Sequence, residues 1–286
     1  MTTRYGRFVS QDPLHDPRRV LIVGAGDLGL ALAAQLVEMG MAVTTLNRSG
    51  RAVAGAVPWR GDLADPTTLA GLQACDLAIF TTAPPGRDLA AYRLAYLDGP
   101  RRVLDALPGR PDRAVLTSTT GVYGDDDGSW IDERSPTRPV RESAEVVLEG
   151  ELALRAALET VAVRSAGIYG PARTGFQDRV AAGEEPIASD GTPRWTNRIH
   201  RDDVVSALLT ASVAARPPDT LIAVDDEPAR RDDVIRFLAD RLEAPTPEVI
   251  EIERASGKRC RNSALRALGW APQFPTYREG YSALLG

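Results

Sequence analysis

Lysine is almost missing from this 286-residue chain. Of its 34 lysine and arginine residues only Lys258 is lysine, and no tyrosine has a lysine four residues after it. A Tyr-x-x-x-Lys couple on one helix turn is therefore excluded. Cysteine is nearly as scarce: Cys75 and Cys260 stand far apart with no metal-ligand spacing, the usage of a reducing, cytoplasmic compartment. No metal centre is expected. No apolar run is long enough to span a bilayer, and the polar stretch Met1–Asp16 lacks the apolar core of a secretory signal. A formal charge of −5 leaves no basic excess for nucleic acid or an acidic membrane surface. The expected partner is a small molecule. Arginine replaces lysine so consistently that genome composition accounts for the bias more simply than chemistry does.

What remains is ordinary globular usage, with 43% hydrophobic and 26% charged residues. The length suits one large α/β domain or two lobes. After a loose tail (1–18), the run Val20-Leu21-Ile22-Val23 reads as a strand buried on both faces. Leu28, Leu32, Leu36 and Met39 then recur at helical spacing, with Gly40 as the C-terminal stop. The alternation continues: strand 42–46, strand 57–59, a helix near 66–72, strand 77–80, a long helix from about 88 to 107, and strand 114–116. This rhythm predicts right-handed βαβ units and a doubly wound parallel sheet of the Rossmann type. The expected division is a dinucleotide-binding core at 19–165 and a smaller substrate lobe at 166–286. Residues 200–224, a helix from Arg201 and the strand 221–224, return to the core, and a further helix covers 231–241.

Gly24-Ala25-Gly26-Asp27-Leu28-Gly29 lies between the first strand and its helix, the setting in which Gly-x-Gly-x-x-Gly holds a pyrophosphate. Gly24 and Gly26 allow the turn and close backbone approach, Gly29 allows helix to pack on strand, and the helix start offers free N–H groups. Asp27 fits beside a phosphate poorly and reads as a helix N-cap turned away from it. At the end of the second strand, Asn47-Arg48-Ser49, followed by Arg51, replaces the carboxylate that NAD sites use for the ribose hydroxyl. Guanidinium, amide and hydroxyl suit a 2′-phosphate, so NADP is expected ahead of NAD. Asp62 and Leu63 would meet the adenine, and Thr81, Thr82 and Ala83 the nicotinamide ribose.

With Ser118-Thr119-Thr120-Gly121-Val122-Tyr123-Gly124, Arg164 to Pro171, Ile199-His200-Arg201-Asp202-Asp203 and Gly257-Lys258-Arg259 through Tyr277 also in view, nearly the whole chain resembles the extended or atypical short-chain dehydrogenases/reductases. These belong to the NAD-dependent epimerase/dehydratase-like superfamily. The resemblance implies a Rossmann core and a C-terminal substrate lobe. It also puts Thr119 beside the reacting carbonyl. The family's tyrosine and lysine do not carry over: aligned on Glu149 they become Arg141 and Glu145, and one residue earlier Val140 and Ala144. That loss resembles the atypical subgroup.

Hydride transfer to a carbonyl still needs a proton donor. Tyr123 is the first candidate, although related enzymes use that tyrosine to shape the pocket. Tyr169 reads as a pocket wall. Tyr92 with Tyr96, and Tyr277 with Tyr281, read as packing pairs at helical spacing. Arg141, Glu145 and Glu149 share a helix face, either as a rebuilt site in which Arg141 binds an anionic substrate or as a solvated ion-pair ladder. His200 has two readings, an acid–base group or a buried brace at a helix start. Arg198 and the Lys258-Arg259-Arg261 cluster would suit an anionic substrate, and equally an arginine-rich surface. The leading expectation is an NADP-dependent oxidoreductase acting on a small carbonyl or alcohol. Two others stand beside it: a non-catalytic NADP-binding redox sensor or partner-binding protein, and a non-redox lyase, isomerase or cyclase. By analogy with the family, a homodimer would pair through helices near 88–107 and 141–158.

Overall fold

The structure, a computed structural model, describes residues 18–286. The expected tail, His15 included, lies outside the described residues apart from Arg18. In β1 (Arg19–Val23), Val20 to Val23 are buried on both faces. Helix α1 (Asp27–Glu38) sinks Leu28, Leu32, Ala33 and Leu36. It stops where Gly40 adopts φ +79 and the Gly40 and Met41 amides turn back to the carbonyls of Val37 and Leu36. Then come β2 (Ala42–Asn47), β3 (Val57–Arg60) and β4 (Leu77–Phe80).

Two expected helices differ in form. The one near 66–72 is a single 3₁₀ turn, Pro66–Leu69, capped by Asp65 and ended by an extended Ala70 and by Gly71 at φ +89. The long helix is α2 (Leu89–Arg93), a π turn (Leu94–Asp98) and α3 (Gly99–Ala106). Proline explains the interruption. The Gly99 N–H reaches back to the Leu94 carbonyl, and Pro100 has no N–H to give the next carbonyl, that of Ala95. The Thr82 hydroxyl supplies the missing donor, 2.6 Å from the Ala95 oxygen.

Next along the chain are β5 (Arg113–Thr119), β6 (Trp130–Ile131), α4 (Glu142–Ala157), β7 (Thr160–Ser165) and β8 (Gly167–Tyr169). The segment after residue 170 leaves the main sheet through α5 (Gly175–Ala181), β9 (Ile187–Ala188), β10 (Trp195–Thr196) and β11 (Arg198–His200). Then follow α6 (Arg201–Val213), β12 (Thr220–Ala223), β13 (Ala229–Arg230) and α7 (Arg231–Arg241). Asp232 and Asp233 at the start of α7 and Arg241 at its end complement the helix dipole. Last are β14 (Val249–Ile250), β15 (Arg259–Cys260), α8 (Ser263–Ala267) and α9 (Tyr277–Leu285), which opens on a Thr276–Glu279 capping box.

Seven strands form a parallel sheet in the order β12-β7-β5-β4-β1-β2-β3, with helices flanking it, the doubly wound arrangement expected from the sequence. The order reverses between β1 and β4, the place where such sheets bind ligands at their strand carboxyl ends. Four two-stranded ladders stand outside it, β10 with β13, β11 with β8, β14 with β9 and β15 with β6. The chain separates into two compact units. The first holds 18–117, 145–162 and 208–219, with a core that includes Leu21, Val23, Leu46, Phe80, Val103 and Leu116. The second holds 118–144, 163–207 and 220–286, with a core around Val180, Val234, Ile235, Leu238, Tyr277 and Tyr281. Among the described residues no helix is long and apolar enough to cross a membrane.

Candidate cofactor and substrate sites

In the first unit the glycine loop links β1 to α1. Gly24 has φ +93, and a Cβ there would stand 2.8 Å from the Thr82 amide nitrogen. A Cβ on Gly29 would stand 2.5 Å from the Gly24 carbonyl and 2.7 Å from the Thr81 hydroxyl. Both are glycine because the protein packs against them. Gly26 is different: a Cβ there meets no protein atom within 4 Å, and its φ of −85 would tolerate a side chain. Protein packing gives no reason for that glycine, whereas close approach of a pyrophosphate does. Gly26, not Asp27, is the N-cap of α1, and it caps without a side chain. Asp27 is instead the first helical residue, exposed, with its charge at the favourable end of the helix dipole. Leu28 is buried and anchors the helix to its strand.

The loop after β2 is built on Asn47. Its amide nitrogen donates to the Arg51 carbonyl at 2.7 Å, and its Oδ1 accepts from the Ser49 hydroxyl at 2.8 Å and the Arg51 amide at 2.9 Å. Ser49 in turn accepts from Arg51 Nε at 3.2 Å, which orients that guanidinium. Arg48 and Arg51 are exposed, and neither has an ion-pair partner among the described residues. The residues thus fit a phosphorylated ribose: two cations on a braced turn with no carboxylate on them. Asp62 keeps a turn closed by accepting from the Ala64 amide, and the Leu63 carbonyl accepts from Arg102 at 2.6 Å. Thr81 ties the end of β4 to the glycine loop, its hydroxyl donating to the Gly24 carbonyl at 2.8 Å. Thr82 is committed to Ala95, and Ala83 is exposed beyond them.

In the second unit, Thr119 ends β5 and is partly exposed. Its hydroxyl oxygen accepts from the Gly121 amide at 3.0 Å, which leaves its own proton available to another acceptor. Tyr123 has 0% exposure, and its hydroxyl accepts from Arg164 at 2.6 Å with the guanidinium 4.9 Å over the ring. Its polar end therefore faces the interior. Arg141 lies just before α4, exposed and without an ion pair among the described residues. Glu149 pairs with Arg93 at 3.1 Å, so the expected Arg141-Glu145-Glu149 ladder does not form.

Tyr169, Arg198 and His200 are buried together rather than lining a surface. The Tyr169 ring lies edge-on to His200 at 5.5 Å and 4.4 Å from Tyr281, and a Cβ on Gly280 would collide with its hydroxyl. Arg198 is held among Phe176 and Tyr277, with Nη1 on the Thr196 hydroxyl at 2.9 Å. Nδ1 of His200 accepts from the Asp202 amide at 3.2 Å, and Phe274 packs 4.2 Å away. Burial pushes the His200 pKa down, and through the Asp202 amide the ring braces the start of α6. Beside this group, burial lifts Asp225 to about 8, against the lowering effect of Arg198. Burial also lifts Asp203 to about 6, although the Gln273 and Phe274 amides donate to it. Oδ2 of Asp225 and the hydroxyls of Tyr169, Tyr277 and Ser165 are buried without a hydrogen-bond partner among the described residues.

Arg164, Asn197 and Asp225 are structural residues to which the sequence alone assigns no role in the site. For Arg164 the signal was present, a charge set inside the apolar strand Thr160–Ser165, which demands a buried acceptor. Cys75 and Cys260 are buried free thiols, raised by burial to about 11 and about 12, and so unreactive. Among the described residues no group of three histidine, cysteine or carboxylate side chains is placed to hold a metal.

The family model for the NAD dependent epimerase/dehydratase family matches residues 20–222. No curated protein matches the chain. Among solved structures, a proposed NAD-dependent epimerase/dehydratase from Methylobacillus flagellatus is 33% identical, covering 94% of this chain and 98% of its own, with a TM-score of 0.79. MoeE5, solved with UDP-glucose and NAD, is 25% identical over 93% of this chain and 97% of its own, TM-score 0.73. The human epimerase family protein SDR39U1 with NADPH shares the fold at 21% identity over 93% and 99% of the two chains, TM-score 0.74. The protein belongs to the NAD dependent epimerase/dehydratase family.

Proposed function

We propose that this protein is an NADP-dependent oxidoreductase interconverting a small carbonyl compound and its alcohol. The observation that carries the cofactor half is Gly26, the one glycine of the loop that protein packing does not require. Arg48 and Arg51, without carboxylate partners among the described residues, support NADP over NAD. The two relatives solved with a nicotinamide nucleotide carry NAD in one case and NADPH in the other, so the preference rests on these arginines. A bound nicotinamide would supply or accept the hydride. Thr119 would polarise the substrate oxygen with the proton its own geometry leaves free. Tyr123 is assigned to bracing the loop through Arg164 rather than to carrying a proton. Arg141 is the exposed cation best suited to an anionic substrate group.

The reading includes a cytoplasmic setting, in keeping with two free thiols, and a small-molecule partner in place of nucleic acid or membrane. Self-association through the helices at 88–107 and 141–158 is in keeping with exposed Leu89 and Leu152. The absence of a Tyr-x-x-x-Lys pair favours a second reading, an NADP-binding protein without turnover. The test is a panel of aldehydes, ketones and alcohols, each followed by nicotinamide absorbance after NADPH binding has been measured. Turnover of any member supports the oxidoreductase; tight binding without turnover supports the second reading.

A further inference from the structure

Tryptophan is rare in this chain, and two of its four residues meet three arginines in one stack within the second unit. Two short ladders build it. Their registers set Arg259 of β15 opposite Trp130 of β6, and Trp195 of β10 opposite Arg230 of β13. Arg261 lies two positions beyond Arg259, its amide bonded to the Ile131 carbonyl at 3.0 Å, so it rises from the same face. Its guanidinium is 4.4 Å from the Trp130 ring centre, and that of Arg230 is 5.9 Å from the centre of Trp195. Arg259 joins the two ladders, 4.9 Å from each ring. The backbone beneath is tied down. Asn197 donates to the Lys258 carbonyl at 2.9 Å and accepts from the Cys260 amide at 2.8 Å. A Cβ on Gly257 would stand 1.9 Å from the Trp195 carbonyl, and Nε of Arg259 donates to the Gly128 carbonyl at 2.7 Å.

A purely structural brace would be covered, yet Trp130 is 45% exposed, and Arg230 and Arg261 are exposed with it. None of the three guanidiniums has a carboxylate partner among the described residues. Carboxylates close in sequence are engaged elsewhere: Asp126 with Arg254, Asp127 with the Ser129 amide, and Glu133 with the Ile222 amide. Stacking orders a guanidinium without consuming its in-plane N–H donors, which lowers the entropy lost when a ligand binds. Carboxylates accept such donors in pairs. In an extended peptide, side chains two apart share a face at about 7 Å, the spacing at which Arg259 and Arg261 leave their own strand. A nucleic acid would stack its bases on bare rings, but each tryptophan already carries two guanidiniums, and a chain charge of −5 opposes a polyphosphate. We propose that the Arg261-Trp130-Arg259-Trp195-Arg230 stack is a docking surface for an acidic segment of a partner protein, held extended with its carboxylates on the guanidiniums. The inference lies wholly within the second unit and does not depend on the oxidoreductase reading.

The probe is a fluorescein-labelled peptide of alternating glutamate and serine, titrated with the full chain at low salt and read by anisotropy. A glutamine–serine peptide and an oligothymidylate of equal charge are measured beside it. The glutamate peptide should bind with a Kd of about 100 µM or tighter, and the other two at least about tenfold more weakly. Arg230→Gln combined with Arg261→Gln removes two exposed charges that hold no ion pair. Its thermal denaturation and NADPH affinity should match the parent, while peptide affinity falls about tenfold or more. Trp130→Leu keeps every charge but removes the ring that orders Arg259 and Arg261, and should weaken the peptide about threefold or more. No saturable binding by the parent, or equal affinity in parent and variants, would overturn the inference. A loss confined to the double arginine variant would reduce the stack to general charge attraction and sink it too. Tighter binding of the oligothymidylate than of the peptide would assign the surface to nucleic acid instead.

Discussion

Arg164 donates to the Tyr123 hydroxyl at 2.6 Å inside the second unit, with both residues almost wholly buried. A guanidinium in a buried strand needs acceptors, and this tyrosine supplies one while its ring covers the charge. Tyr123→Phe keeps the ring and removes the acceptor. The expected result is a stability loss of about 1–3 kcal/mol in urea unfolding, with turnover changed by less than about tenfold. A loss of about two decades in kcat at unchanged stability would return the proton to Tyr123.

Arg48 and Arg51 should distinguish the two nicotinamide nucleotides. Replacing both by alanine removes charge-assisted bonds to a 2′-phosphate, each worth about 1.5–3 kcal/mol. NADPH affinity should fall by about 100-fold or more, and NADH affinity should stay within about threefold. Calorimetry on the double variant checks this; equal losses for both nucleotides would place the arginines elsewhere.

Asp225 gives the fold an acid-side preference. Its folded pKa of about 8 lies above the open-chain value of 3.8, so the folded state holds more protons between these limits. Its contribution is therefore fully present below about pH 4 and is lost as pH rises through about 8. Asp203, at about 6, adds to the lower part of that window. The charges facing Asp225 are Arg198, Glu227 and Asp226, of which only the first favours the carboxylate. Asp225→Asn should flatten the dependence of melting temperature on pH between about 4 and 8. An unchanged slope would mean that another group sets it.

Thr82 and Pro100 make a smaller claim. Thr82→Val strips the donor from the Ala95 carbonyl that Pro100 leaves without a helical partner. A loss of about 1–3 kcal/mol is expected in urea unfolding. No loss would mean that the π turn satisfies itself.

The sheet was legible because its strands are continuous apolar runs, as Val20 to Val23 and Leu77 to Phe80 show, and a strand buried on both faces admits little else. The helix stop at Gly40 was legible for the same local reason. Features that depend on partners far along the chain were not. Nothing near Thr82 announces that Pro100 will leave it a carbonyl, and nothing near Tyr123 announces Arg164, 41 positions away. Arg198 carried the composition of a reactive surface, yet Phe176 and Tyr277 close over it. Of the two readings of His200, the buried brace is the one found, with Phe274 packed on the ring. The Asn47-Arg48-Ser49 loop was read for its charges. Its bracing, Asn47 onto Arg51 and Ser49 onto the Arg51 guanidinium, appears only in three dimensions.

The central claim is that the loop from Gly24 to Gly29 holds a nicotinamide dinucleotide, and Gly26 tests it most cleanly. Calorimetric titration with NADPH should be run on the parent protein and on Gly26→Ala. A Cβ there meets no protein atom within 4 Å, so stability should change by less than about 1 kcal/mol. NADPH affinity should nevertheless fall at least about tenfold, because the new methyl occupies the approach of the pyrophosphate. Equal affinity in parent and variant, or no binding by the parent, would contradict the account.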